Sequence, residues 1–312
     1  MICRKARTER AGGYGGKPKE RKSAVEGLRM LSIKREKRKN GPVMRRDRYE
    51  LAGGQGSLEY LTFPGLEKTG VVRHLVSTRL GGVSEGEFSS MNLSFSRGDE
   101  EDRVRENYRR IGEALGCEPE DMTATRQTHT ANIRRVTLED RGKGITVPAD
   151  YENVDGLMTD QRGIVLAAYF ADCVPLFFVD PVHRAVGLAH SGWRGTAAGM
   201  GEQMVKAMGE AYGTRPEELY AAIGPCICGD CYEVGEEVAV RFSECGVRLG
   251  KRPGKYQLDL KEANRRMLLR AGVREERIEA ADLCTCCNPE YLFSHRASGG
   301  RRGSLAGFLG LL

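Results

Sequence analysis

From about residue 58 onward, apolar positions fall into short runs and helical stripes separated by glycine-rich breaks. Residues 100–115 place Val104, Tyr108, Ile111 and Leu115 on one face with Gly116 behind them, which predicts an amphipathic helix stopped by a glycine. "VVRHLVSTR" (71–79) reads as a strand, and "LGGVSEGEFSSMNLS" (80–94) as a loop with isolated apolar anchors. Residues 124–137 read as strand, turn, strand, and "GIVLAAYF" (163–170) as a buried strand. Further on, a helix is expected over 196–212 with Met200, Met204, Ala207, Met208 and Ala211 inward. A strand is expected at 220–227, amphipathic helices at 233–243 and 259–271, and a short strand after a Gly/Arg-rich loop at the end. Strands and helices mix without a regular βαβ repeat. This predicts an α+β fold, a single domain of packed mixed sheets flanked by helices. No internal repeat, GxGxxG or Walker loop is present.

The stretch "ADCVPLFFVDPVHRAVGLAH" (171–190) is almost wholly apolar, yet it carries Cys173 near one end and His190 at the other. Asp180-Pro181 suits the start of a type I turn. A turn over 180–183 would pair residues whose numbers sum to 363, making Cys173 and His190 direct cross-strand neighbours with Cβ atoms about 4.5–5.5 Å apart. Both could then reach one metal ion. The plainer reading of such a cysteine is a small buried hydrophobe.

Charge divides the 312 residues in two. Residues 1–50 hold 17 Lys/Arg against 6 Asp/Glu, a net +11, while the whole chain is +6, so the remainder is −5. The basic segment lacks apolar periodicity and is expected to be a disordered tail over 1–45, with Met30 or Met44 as possible alternative starts. An acidic body makes nucleic acid an unlikely partner. No apolar run approaches a membrane span, and no h-region follows the first residues. Ten cysteines without a secretory signal point to a reducing, cytoplasmic setting.

His129, in the polar context "RQTHT", could complete a His, Cys, His set, which leaves one open position on tetrahedral zinc and suits catalysis. Zinc held this way can activate a water or polarise a phosphate or base. A rival group exists in Cys226, Cys228 and Cys231 with Cys284, Cys286 and Cys287, of which only 228/231 and 284/287 have the two-residue gap of a structural zinc site. Its plainer reading is neighbouring buried thiols. Arg79 and Arg194 each stand beside glycine at a strand boundary, where backbone can approach an anion while the guanidinium forks onto its oxygens.

"STRLGGVSEGEFSSMNLS", "QTH", "DGLMT", "ADCVPLFF", "AHSGWRGT", "IGPCICGDCYEVGEEV" and "DLCTCC…FSHR", in this order, resemble the YfiH/PgeF family over about residues 58–308. That family has long carried the label polyphenol oxidoreductase (laccase). The resemblance implies a catalytic domain over 46–312, with zinc (Cu2+ as a possible alternative) held by His129, Cys173 and His190, which are also the catalytic residues. It implies substrate contacts at Arg79, Asn92 and Arg194. Family members are purine nucleoside phosphorylases acting on adenosine, inosine and methylthioadenosine, with adenosine deaminase activity, so a purine nucleoside and phosphate are the expected partners. A peptidoglycan-precursor editing hydrolase is an alternative, and a copper oxidase is weaker because five histidines are few for a multicopper cluster. Two departures stand out: Thr130 where the family often has glycine, and His295 where it has tyrosine. "CICGDC" resembles a common family turn, which weakens the rival zinc site.

Overall fold

The computed structural model describes residues 31–36, 43–242 and 246–312. The unit running from Ile33 to Leu312 is built on two six-stranded sheets and a small three-stranded one. The first sheet orders Arg45–Glu50, Ser57–Thr62, Val72–Ser77, Leu305–Leu311, Val165–Phe170 and Met122–Ala124. The second orders Ile278–Ala280, Tyr220–Ile223, Val174–Asp180, Ala185–Ser191, Gly156–Thr159 and Ile133–Arg135.

The strands alternate sides, and Val174–Asp180, Ala185–Ser191 and Leu305–Leu311 are buried on both, which is why these read as unbroken apolar runs. Phe177, Val179, Val186 and Leu188 meet Leu166, Ala168, Phe170 and Leu309 between the sheets. Leu176, Phe178 and Ala189 instead face Met200, Met204 and Met208 of helix Met200–Tyr212 and Leu260 of helix Leu260–Arg270. On the far side, Val104, Tyr108, Ile111 and Leu115 of helix Glu101–Leu115 cover Leu75, Val165 and Phe308. The result is helix, sheet, sheet, helix, with mixed pairing in both sheets, so the fold is α+β. Among the described residues no helix is long and apolar enough to cross a membrane.

Three expectations change. The helix read over 196–212 is two, Trp193–Ala197 and Met200–Tyr212, broken where Gly199 takes φ +77°. Residues 233–243 begin instead with a strand, Glu233–Gly235, because Lys255–Leu258 pairs with it, and only Glu236–Ala239 is α-helical. The body also reaches into the basic segment. Arg35 ion-pairs with buried Asp282 at 2.8 Å, Lys34 and Asn288 bond through N–H to Oδ1 at 2.7 Å, and Met44 is buried. A buried carboxylate needs a cation, so Asp282 recruits one from the basic run. The boundary therefore lies nearer Ile33 than residue 46. Disorder over residues 1–30 concerns a segment outside the described residues.

Candidate functional site

The hairpin forms with Asp180 opposite Ala185 and Pro175 opposite His190. Paired numbers sum to 365, not 363. Asp180 lengthens the turn: its Oδ1 accepts the N–H groups of Val182 (2.9 Å) and His183 (3.0 Å), and Arg184 closes the loop at φ +50°. Cys173 consequently lies beyond the last paired residue, level with Gly192, and His190 is its diagonal neighbour. A two-residue shift keeps both side chains on one face of the sheet, so the error in register does not separate them.

His129 reaches the same place from the loop between Met122–Ala124 and Ile133–Arg135. One donor atom from each of His129, Cys173 and His190 lies within 4.8 Å of the others. Gly192, just past the end of the facing strand, closes the group. A Cβ there would stand 3.0 Å from Cys173 Sγ and 3.2 Å from His129 Cδ2, so only glycine leaves the space between the donors open.

Asp155, buried at the start of strand Gly156–Thr159, braces the set. Its Oδ1 accepts from His190 Nδ1 (2.8 Å) and from the backbone N–H of His129 (3.0 Å). Its Oδ2 accepts from the backbone of Thr128 and the backbone and hydroxyl of Thr130, each at 3.0 Å. One carboxylate thereby fixes the His129 loop, in which His129 itself sits at φ +65°, and leaves His190 Nε2 as the free nitrogen. Gln127 ties the same loop to Tyr169, accepting from its N–H at 2.8 Å and donating to its carbonyl at 2.9 Å.

Burial pushes the Cys173 thiol up, but the His190 charge and hydrogen bonds from both histidines outweigh it and hold the thiol at about 6. Burial likewise pulls His190 down, yet Cys173 and Asp155 raise it to about 9. A thiolate is the metal-binding form of cysteine. A soft sulfur, two imidazoles, a carboxylate behind one of them and a glycine-made gap fit a tetrahedral metal with a fourth position open.

The three donors line a pocket of about 360 Å³ whose other walls include Phe95, Tyr169, Phe170, Arg97, Arg126 and Arg302. Arg302 is buried. Its Nη1 donates to Gly303 O (3.0 Å) and Ser304 Oγ (2.9 Å), and its Nε has no partner among the described residues. Burial, then Arg97, lowers Arg302 to about 10, which leaves it charged at neutral pH. An unpaired buried guanidinium nitrogen calls for an anion.

The expected substrate contacts are placed differently. Arg79 lines a separate pocket, with Nε on Ser89 O at 2.8 Å and Nη1 on Pro289 O at 2.6 Å, because the loop behind it folds back onto its guanidinium. Arg194 lies over the Trp193 ring, 4.2 Å from its centre, outside the pocket lining. Asn92 is fully buried, and its side chain is spent on Ser94, Asp99 and the N–H of Ser304. It positions two pocket serines and does not line the pocket. His295 also lies outside the lining, with burial and then Arg302 lowering its pKa. The residues that sequence reading missed are Asp155, inside the quoted "DGLMT", and Arg302, inside "GGRRGS".

Residues 73–312 match the family described as multi-copper polyphenol oxidoreductase laccase. The chain is 42% identical over 243 residues to "Purine nucleoside phosphorylase YlmD" of Geobacillus stearothermophilus, covering 75% of this chain and 88% of that one. It is 34% identical over 221 residues to "Adenosine deaminase RL5" from an unknown prokaryotic organism, covering 68% and 83%. The crystal structure of YlmD from Geobacillus stearothermophilus superposes with a TM-score of 0.77 at 37% identity, covering 87% of this chain and 99% of that chain. With this order of motifs, this fold and these relatives, the chain belongs to the laccase-labelled polyphenol oxidoreductase family of YfiH-like proteins.

Proposed function

We propose that this chain is a purine nucleoside phosphorylase that also deaminates adenosine, working at a zinc centre held by His129, Cys173 and His190. The observation that supports it most is the open three-donor set in a pocket whose lining includes the buried guanidinium of Arg302. Zinc bound by these residues would supply a Lewis acid with one position left for substrate or water. Two histidines and one cysteine do not make a multicopper cluster. Of the other histidines, His74 accepts the Phe63 N–H at 2.8 Å and His183 pairs with Asp180 at 2.8 Å.

Arg302 and Arg97 are suited to hold phosphate by charge and fork geometry. Phe95, Tyr169 and Phe170 offer aromatic surface to a flat base. In phosphorolysis a phosphate oxygen bonds to C1′ as the C1′–N9 bond breaks, and the purine leaves with the electron pair and takes up a proton. In deamination water adds at C6 of adenosine and ammonia departs. The two reactions differ in whether phosphate is consumed, so one assay separates them. Purified protein is given inosine or adenosine with phosphate present and absent. Inosine should yield hypoxanthine and ribose 1-phosphate only with phosphate, and adenosine should release ammonia either way. Base release from inosine that ignores phosphate would overturn the phosphorylase reading.

A further inference from the structure

Six cysteines of the body fall in two short segments, and four of their sulfurs meet. Cys226 and Cys284 share an isolated parallel bridge, with the Thr285 N–H on Cys226 O at 3.1 Å. That seam sets the turn after Cys226 beside the turn after Cys284. One sulfur each from Cys228, Cys231, Cys284 and Cys287 then lies within 4.8 Å of the others. Cys231 Sγ and Cys287 Sγ are 3.5 Å apart. A zinc ion with Zn–S bonds of about 2.3 Å places its sulfurs about 3.8 Å from one another, whereas a disulfide needs about 2.05 Å. All four are free thiols. The members chosen are those with the two-residue gap. Cys226 is buried in the apolar core beneath the second sheet, and Cys286 falls outside the group.

The backbone is arranged for thiolates. The N–H groups of Cys228 (3.2 Å) and Cys287 (3.4 Å) both donate to Cys284 Sγ, the bonds a metal-bound sulfur accepts from its surroundings. Asn288 donates to Cys284 O at 2.8 Å and to Lys34 O at 3.0 Å, pinning the turn to the N-terminal arm. The thiol–thiol contact of Cys231 and Cys287 joins two of the sulfurs, whereas one divalent cation would engage all four at once.

We infer that Cys228, Cys231, Cys284 and Cys287 hold a second zinc ion, a closed four-thiolate structural site separate from the three-donor centre. Its role follows from what the two turns carry. Asp172, the residue before Cys173, stands at φ +85° and is gripped from both: Ile227 N–H donates to its carbonyl (3.0 Å), Thr285 Oγ1 to Oδ1 (2.6 Å) and Arg296 N–H to Oδ2 (2.7 Å). The ion joins the turns on which Asp172 hangs, and Asp172 aims Cys173. Asp172 is thus a positioning residue.

The test is metal content of the full chain, loaded with zinc under reducing conditions. Wild type should hold two ions, Cys173→Ala one, and the Cys228→Ser/Cys287→Ser double variant one. A double variant with wild-type stoichiometry would overturn the site. Should that variant fail to fold, cobalt decides without it. Cys173→Ala protein loaded with Co2+ should show a sulfur-to-cobalt charge-transfer band about four times as intense per ion as a one-thiolate site, in proportion to its Co–S bonds. No cobalt uptake, or no such band, would overturn it. So would mass and thiol counts showing a 228–284 or 231–287 disulfide in freshly purified protein.

Discussion

The two sulfur-bearing clusters are built from opposite kinds of backbone. Cys173 and His190 sit on a hairpin whose strands are buried on both faces, and their separation is set by strand register. The four cysteines sit on turns 56 residues apart in sequence at Cys231 and Cys287, joined by one isolated bridge. The first cluster keeps a position open beside a pocket and is held from behind by Asp155. The second is closed by its own four donors. A histidine on a buried strand, braced by Asp155, suits an incomplete metal shell, whereas on the proposed reading a complete shell would tie two turns together. If both groups bind metal as proposed, the first is a scaffold that shapes a metal site and the second a metal site that shapes its scaffold.

Cutting the first cluster alone should have the largest effect. In Cys173→Ala only two protein donors remain, so phosphate-dependent inosine cleavage should fall by more than about 1,000-fold, near the scale of removing a catalytic group. One metal ion should be lost and the cooperative melt kept. Activity that persists would move the chemistry off this centre.

Gly192→Ala tests whether the space between the donors matters as much as the donors. The added methyl meets sulfur at 3.0 Å and the His129 ring at 3.2 Å, so the group must splay. The donors must give by a few tenths of an ångström, and a full misplacement of about 1 Å costs on the order of 100-fold, so that figure is the upper bound of the loss. Activity and the metal of this centre should fall together, and an unchanged rate at wild-type metal content would show that the ligands relax freely.

Why these two clusters were unequally legible has a physical cause. The hairpin, the amphipathic helix Glu101–Leu115 and the inward Met200, Met204 and Met208 follow from periods of 2 and 3.6, which sequence displays directly. The register of the hairpin did not, because the Asp180 side chain bonds of the turn decide its length. The direct pairing of Cys173 with His190 failed, and their shared face survived only because the error was even. Asp155 looks like any aspartate before a strand, and its importance lies in five donors gathered from residues 128–130 and His190. In the cysteine-rich segments, the two-residue gaps were visible but the seam between Cys226 and Cys284 was not. Arg79 attracted attention through its glycine neighbours, yet the same loop supplies the carbonyl that occupies it.

Asp155→Asn should act on the open cluster and spare the closed one. The amide keeps the size but loses the charge that favours His190 with its Nδ1 proton, and removing such an outer partner typically costs about 10–100-fold in metal affinity. A chelator titration should therefore strip the first ion at lower chelator concentration than in wild type, with the second unmoved. Loss of both ions together would mean that Asp155 supports the fold as a whole.

The smallest effect is expected at Arg302, which touches neither cluster's donors. If its guanidinium serves phosphate, Arg302→Lys keeps the charge but loses the planar fork. Ground-state binding would then weaken by about 1.5–3 kcal/mol, the size of a charged hydrogen bond. That appears as a phosphate KM raised by roughly 10-fold or more with kcat little changed, the pattern of lost uniform binding. Deamination of adenosine consumes no phosphate and should stay within about twofold of wild type, since a surviving metal centre is all it shares. Steady-state kinetics of both reactions on one preparation separate the cases. A kcat loss shared by both would place Arg302 in the architecture of the centre, and a selective rise in phosphate KM would place the anion at Arg302, on the pocket wall outside the donor set.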